Sequence, residues 1–205
     1  AEDLEEDRHL WPQDAALYCH FLSMHGYPFY LSWVDKEDVC LLPFLGIITA
    51  WLGGAPVLFQ EFGWPNQPAQ SGPKSEPQIP VKTPLWSEKQ IDDFYRRSLS
   101  LLQAAGMKGA FGWCFADYDP QLYNQPPLQE NCHERYFGLT RWDGSVKPAL
   151  VTLGSWAGKT CLPLKLPSWL EQEDPDRFYD DPAGNLQRWF KAYKSEMTEI
   201  GRAHV

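Results

Sequence analysis

The run Gln60-Glu61-Phe62-Gly63-Trp64-Pro65 puts an acid at the end of a short, β-prone stretch, Pro56 to Gly63, bounded by proline and glycine. A carboxylate at the end of a buried strand is costly unless something requires it. Two uses fit this one. It can be held in an internal ion pair, or it can attack an anomeric carbon from below. The second use needs a partner acid about 5 to 5.5 Å away to protonate the leaving oxygen. Glu61 alone does not separate the two. Two further segments carry residues of the right kind: His25-Gly26-Tyr27-Pro28 upstream and Gly112-Trp113-Cys114-Phe115 downstream.

The elements that would position these residues alternate. Ala15 to His25 is apolar and nearly free of charge, which predicts a buried strand leading into a loop. Asp38 to Leu52 repeats Leu41, Leu42, Leu45, Ile48, Ala50 and Trp51 at helical spacing, and Gly53-Gly54 is a helix stop. The strand ending at Glu61 comes next. Residues 64–86 form a long loop rich in proline, glutamine, serine and glycine. Ser87 is placed to cap a helix over Glu88 to Ala105, with Ile91, Phe94, Tyr95, Leu99 and Leu102 on one face. Gly106 ends it. A third strand spans Gly109 to Phe115 and runs into a polar loop at Asp117, a turn falls at Asp143-Gly144, and 147–157 read as a helix. This order predicts a parallel α/β architecture, in which ligands bind at the C-terminal ends of the strands.

With these segments in this order, the chain resembles the barrels of glycoside hydrolase clan A, especially family five. There a His-x-Tyr pair closes the sixth strand, Glu-Phe-Gly the seventh and a Trp the eighth. The passage Gly138-Leu139, Asp143-Gly144 and Lys147-Pro148-Ala149 is similar to that family's approach to its last helix. The resemblance covers roughly residues 15–157. It implies a partial (β/α)8 TIM barrel: the last three strand–helix units, with about five missing upstream, since a complete barrel takes about 250 residues. It also implies roles. Glu61 would be the nucleophile of a retaining β-glycosidase, Tyr27 would donate its phenolic hydrogen to Glu61, and His25 would contact the sugar or shape the carboxylate network. Trp113 would offer the stacking platform. Trp64, Asp117 and Tyr118 are candidate substrate-binding residues, with Trp33 and Trp86 behind them.

The chain departs from the family pattern in one important respect. The family's acid/base is a Glu after an Asn at the end of the fourth strand, and no Asn-Glu pair occurs here. An arginine and a second histidine from earlier strands also lack counterparts. Truncation accounts for all three absences. Losing the acid costs about 10²- to 10⁴-fold in rate, so the chain alone is expected to be nearly inactive. Residues 1–157 are thus read as the barrel portion and 158–198 as an extension or linker with a short helix from Asn185 to Lys194. The ending Glu199 to Val205, EIGRAHV, matches the translation of a common sequencing-adapter read and is expected to be a non-native tail.

Composition limits the alternatives. A net charge of −9 opposes nucleic-acid binding but not a neutral oligo- or polysaccharide substrate. No apolar run reaches the roughly 20 residues of a membrane span. Five cysteines without CxxC spacing speak against a zinc site and leave room for one disulfide. No metal or cofactor is implied, because the reaction needs two carboxylates and water. Two competing readings stand beside hydrolysis. One is a non-catalytic, carbohydrate-binding or vestigial half-barrel. The other, an aldolase- or lyase-type barrel, would need a lysine or phosphate-binding glycines at a strand end, and none of the three offers either.

Overall fold

The computed structural model describes residues 2–67 and 83–203. Its elements run along the chain as α1 (Glu2–Glu5), α2 (Pro12–Ala16), β1 (Leu22–Gly26), α3 (Leu41–Gly53), β2 (Val57–Phe62), α4 (Glu88–Ala104), β3 (Ala110–Gly112), α5 (Pro148–Gly154) and α6 (Pro182–Ala203). The three strands form a parallel sheet in the order β1-β2-β3. The alternation expected from the sequence is therefore present. Of the loop expected over 64–86, residues 68–82 lie outside the described residues, as do the last two residues of the expected 199–205 tail.

Two compact units divide the chain. The first gathers Ala1–Gln60, Ser100–Ala110 and Thr160–Val205, and the second Glu61–Leu99 and Phe111–Lys159. In the first, α3 is buried almost all round, with Leu41, Leu42, Phe44, Leu45 and Ile48 fully enclosed. One side packs on the sheet so closely that a side-chain carbon at Gly26 would lie 2.2 Å from Leu42 and 3.0 Å from Phe59. The other side meets the extension: the Phe44 ring lies 5.2 Å from Phe190 and 5.8 Å from Tyr193, and Trp51 is edge-on to Trp189 at 5.4 Å. A helix apolar on all faces needs cover on all faces, and the extension supplies it. Gly54 then ends α3 with a left-handed φ of 62°, as the glycine pair led one to expect.

Three boundaries differ from the sequence expectation. The apolar run 15–25 is not one strand. Pro12 opens α2, and the Asp14 carboxylate accepts the Trp11 N–H at 2.9 Å, a helix start that outranks the run. Leu17 and Tyr18 are left 75% and 88% exposed, and the strand begins only at Leu22. The helix expected at 185–194 extends from Pro182 to Ala203; Leu186, Trp189, Phe190 and Tyr193 form its buried stripe. The third strand stops at Gly112: Trp113 still donates to Phe62 of β2, but from Cys114 onward the chain pairs with 137–140 instead.

In the second unit the N-terminal part of α4 packs its aromatic face on the end of β2, Phe62 lying 4.8 Å from Tyr95 and 6.2 Å from Phe94. Ser87 caps the helix as expected. Its N–H reaches the Gln90 side chain at 3.0 Å while its Oγ accepts the Gln90 N–H at 3.4 Å. The described residues contain no helix long and apolar enough to cross a membrane. None of the five cysteines stands in a disulfide, so the bridge left open by the sequence is not formed.

Candidate active site

Glu61 is half-buried near the C-terminal end of β2, one residue before the fully buried Phe62. The contacts of Phe62 and Gly63 give the Glu-Phe-Gly run its physical reason. The Trp113 N–H donates to the Phe62 carbonyl at 2.8 Å, and the Tyr95 hydroxyl donates to that carbonyl at 3.2 Å. A side-chain carbon on Gly63 would sit 2.4 Å from the Trp113 carbonyl oxygen. No residue larger than glycine fits without the two backbones moving apart. Trp113 itself is half-buried, and its peptide bond to Cys114 is cis.

Beyond Trp113 the chain is stapled from several directions. The Cys114 N–H donates to the Phe137 carbonyl at 3.0 Å, the Leu139 N–H to Cys114 at 2.8 Å, and the Asp117 N–H to Thr140 at 3.0 Å. Gly138 permits this pairing, since a side-chain carbon there would be 2.0 Å from the Asp117 nitrogen. The short 3-10 turn Cys132–Tyr136 is tied down on both sides. Tyr136 accepts the Asn66 N–H at 2.9 Å and Arg135 accepts the Tyr118 N–H at 3.1 Å. Arg135 is buried, donating to the Leu128 and Tyr123 carbonyls at 2.9 and 3.1 Å and lying 4.5 Å from the centre of the Tyr123 ring.

Two of the expected substrate-binding residues are already occupied. Trp64 is 1% exposed, stacked on Trp86 with centroids 3.7 Å apart, and its indole N–H donates to the Pro84 carbonyl at 2.8 Å. Its face is covered by another ring rather than open to a ligand. The Asp117 carboxylate accepts Lys147 Nζ at 2.7 Å and the Gly138 N–H at 2.8 Å. Lys147 is 3% exposed and also reaches Asn66 Oδ1 at 3.1 Å. Burial pushes the Asp117 pKa up and the Lys147 pKa down, and their mutual contact opposes both shifts. This is a structural ion pair holding the strand ends together, the bland alternative that the sequence left open for Glu61. Tyr118 remains exposed next to it. The same burial raises the Cys114 thiol to about 11, so it stays protonated.

His25 and Tyr27 belong to the first unit. His25 occupies an exposed position of β1, whose burial alternates so that Leu22, Met24 and Gly26 face inward. Tyr27 is half-buried after the strand, its ring 5.7 Å from Phe29 and edge-on to Tyr30 at 5.9 Å. Trp33, half-buried, donates its indole N–H to Glu5 and packs edge-on against Phe190.

One acid of the second unit escapes the sequence motifs. Glu134, in the turn at 132–136, is half-buried and pairs with His133, Nε2 to Oε1 at 3.3 Å. Burial raises its pKa, His133 opposes the rise, and the negative charge of Glu61 adds to it, so the two carboxylates lie within electrostatic reach. Its setting in a loop without periodicity hid it; a charged His-Glu-Arg triplet between aromatic residues was the one available signal.

The fold is similar to part of the barrel of family-five glycoside hydrolases. The particular likenesses are to GH5_18 structures. One, a glutamate-to-alanine variant from Bifidobacterium longum subsp. longum in complex with Manβ1-4GlcNAc, is 18% identical with a TM-score of 0.53 over 75% of this chain and 34% of that one. A protein from Bifidobacterium longum subsp. infantis is 19% identical, TM-score 0.52, over 80% and 37%. A variant from Streptomyces cattleya, also bound to Manβ1-4GlcNAc, is 21% identical, TM-score 0.50, over 76% and 35%. The chain thus spans about a third of the length of these proteins. No protein-family model and no curated protein matches it in sequence.

Proposed function

We propose that the chain is the nucleophile-bearing part of a retaining β-glycosidase, comprising the last three strand–helix units of its barrel and a C-terminal extension. One observation carries this reading: Glu61 stands half-buried at the end of β2 while the backbone of Trp113, at the end of β3, is bonded to the very next residue. Glu61 attacks the anomeric carbon, the glycosidic bond breaks, and the leaving oxygen takes a proton from an acid that this chain does not contain. Water then cleaves the glycosyl ester. Trp113 stacks on the sugar face. Asp117 holds the strand ends rather than the sugar.

Because the neighbours hold Manβ1-4GlcNAc, a β-mannoside is the first substrate to try. The test is hydrolysis of Manβ1-4GlcNAc by the chain extended upstream with its native coding sequence, beside the Glu61→Ala variant. Loss of at least about 10³-fold on substitution is the expected outcome, comparable with removal of other groups that act directly on the reacting centre. Full activity in Glu61→Ala would end the proposal. Sugar binding without turnover by the extended chain would favour the non-catalytic reading.

A further inference from the structure

The loop after β3 is longer than a simple return to α5 requires, and its middle is not free to wander. The 3-10 turn Cys132–Tyr136 is bonded through Tyr136 to Asn66, five residues past Glu61, through Arg135 to Tyr118, and through the adjoining Phe137 to Cys114, next to Trp113. The buried Arg135 guanidinium and its two carbonyl partners lock the same turn from behind. Such fixing leaves His133 and Glu134 with little freedom. Their side chains are 15% and 31% exposed, enough to be reached by a small molecule but not to be fully hydrated. A backbone N–H of the turn, that of Glu134, is itself taken by Asn131 at 3.0 Å. That main-chain donor is therefore already used.

We infer that His133 and Glu134 form a hydroxyl-binding clamp of the Glu61 site: Glu134 accepts hydrogen bonds from ring hydroxyls of the glycosyl unit seated over Glu61, and His133 orients the carboxylate. The inference rests on the glycosidase reading above and adds to it a binding group that catalysis as described does not use. Three features of the pair suit this task. An ionised carboxylate is an acceptor with about four lone-pair positions and takes two neighbouring hydroxyls at once. Hydrogen bonds to a charged acceptor are the strong ones, and they orient a neutral ligand that hydrophobic stacking on an indole cannot orient. The cost of holding a second acid near Glu61 is also real, since burial and the Glu61 charge both disfavour its ionised form. A ligand donating hydroxyl hydrogens to Glu134 offsets that cost.

The experiment is calorimetric titration of Manβ1-4GlcNAc into the chain extended upstream with its native coding sequence (the parent) and into its variants Glu134→Gln, Glu134→Asp, His133→Gln, Trp113→Ala and the surface control Glu130→Gln, each first checked by near-UV circular dichroism. The parent is expected to bind, and Glu130→Gln to match it. Glu134→Gln, which keeps the shape and removes the charge, is expected to weaken binding about 10- to 100-fold, the range of one or two charge-assisted hydrogen bonds. Glu134→Asp is expected to recover part of the loss and His133→Gln to lose about 3- to 10-fold. Binding that is lost in Trp113→Ala but unchanged in Glu134→Gln would overturn the clamp and leave the glycosidase reading standing. Absence of binding by the parent chain would overturn both. A Glu134→Gln chain that binds normally while Glu134→Asp is weakened would also contradict the clamp, because it would mark a packing role.

Discussion

The two units of the chain are held together by different physics. In the first, stability comes from enclosed apolar surface: α3 carries five fully buried large side chains, and α6 adds Leu186, Trp189, Phe190 and Tyr193 to the same core. In the second, the segments around the candidate site are fixed by polar contacts of defined direction. These are the Asp117–Lys147–Asn66 cluster, the buried Arg135, the Glu88–Arg141 pair at 2.6 and 2.7 Å, and glycines where backbones touch. Hydrophobic burial is strong but has no direction. Hydrogen bonds are weaker in net terms and fix geometry. The segments around Glu61, Trp113 and Glu134 are fixed by contacts of the second kind, and the core of the first unit by contacts of the first.

Substitutions can break this contrast, and the largest losses are expected where a buried ring or a buried cation is removed. Phe44→Ala removes a ring that is fully buried between α3 and α6, and should cost about 3–5 kcal/mol. Urea unfolding measures it; a loss below about 1 kcal/mol would mean the extension does not depend on α3. Lys147→Met leaves Asp117 buried without its cation and should cost a similar amount, about 3–5 kcal/mol. Here the double variant discriminates. Lys147→Met combined with Asp117→Leu should recover much of the loss, whereas no double substitution of neighbours would recover a cavity such as that at Phe44. Additive losses in the pair would contradict the ion-pair account.

Gly63→Ala sharpens the comparison from the side of geometry. It should cost about 1–3 kcal/mol, since the new carbon must push the Trp113 carbonyl aside, and should weaken sugar binding more than its stability effect alone would. Thermal melting together with the same titration separates the two effects. The smallest effect is expected at Glu134, and its sign is opposite to the others. Its folded-state pKa is raised by burial, with Glu61 adding to the rise, so the folded chain binds the proton more tightly than the unfolded chain. Stability then falls as pH rises from the ordinary carboxylate value through the raised one. Glu134→Gln should melt slightly higher than the parent above that window, with the difference closing at lower pH. A binding residue that is a stability liability is what a site, rather than a support, would show; a lower melting temperature for Glu134→Gln at neutral pH would contradict this.

Much of the fold was legible because its signals are local. The apolar spacing before Gly53-Gly54, the Ser87 cap and the proline- and glycine-bounded strand at 57–62 each specify an element within a few residues. The errors came where one local signal hid another. The apolar run at 15–25 masked the helix start at Pro12, and the glycine at 184 obscured the first turn of α6, where the Asp181 carboxylate accepts the Gly184 N–H at 3.1 Å. For the candidate site, Glu61 could be named from its place at a strand end, and His25, Tyr27 and Trp113 from the resemblance to a family. Their partners could not. Lys147 lies 30 residues from Asp117 and 81 from Asn66, and Glu134 sits in a turn anchored through its neighbours to Asn66 and Tyr118. Spacing along the chain carries no trace of such contacts, which exist only once the strand ends have been brought together.

Whether Glu61 is a nucleophile can be tested without any acid to protonate the leaving group. A 2,4-dinitrophenyl 2-deoxy-2-fluoro-β-mannoside departs as a stable phenolate and needs no proton, while the fluorine slows hydrolysis of the glycosyl ester. Incubating the chain with this reagent and mapping the adduct by peptide mass spectrometry should find the fluoromannosyl group on Glu61, with none in Glu61→Gln. Labelling of another residue, or no labelling of a folded chain that binds Manβ1-4GlcNAc, would contradict the assignment of Glu61 as the nucleophile.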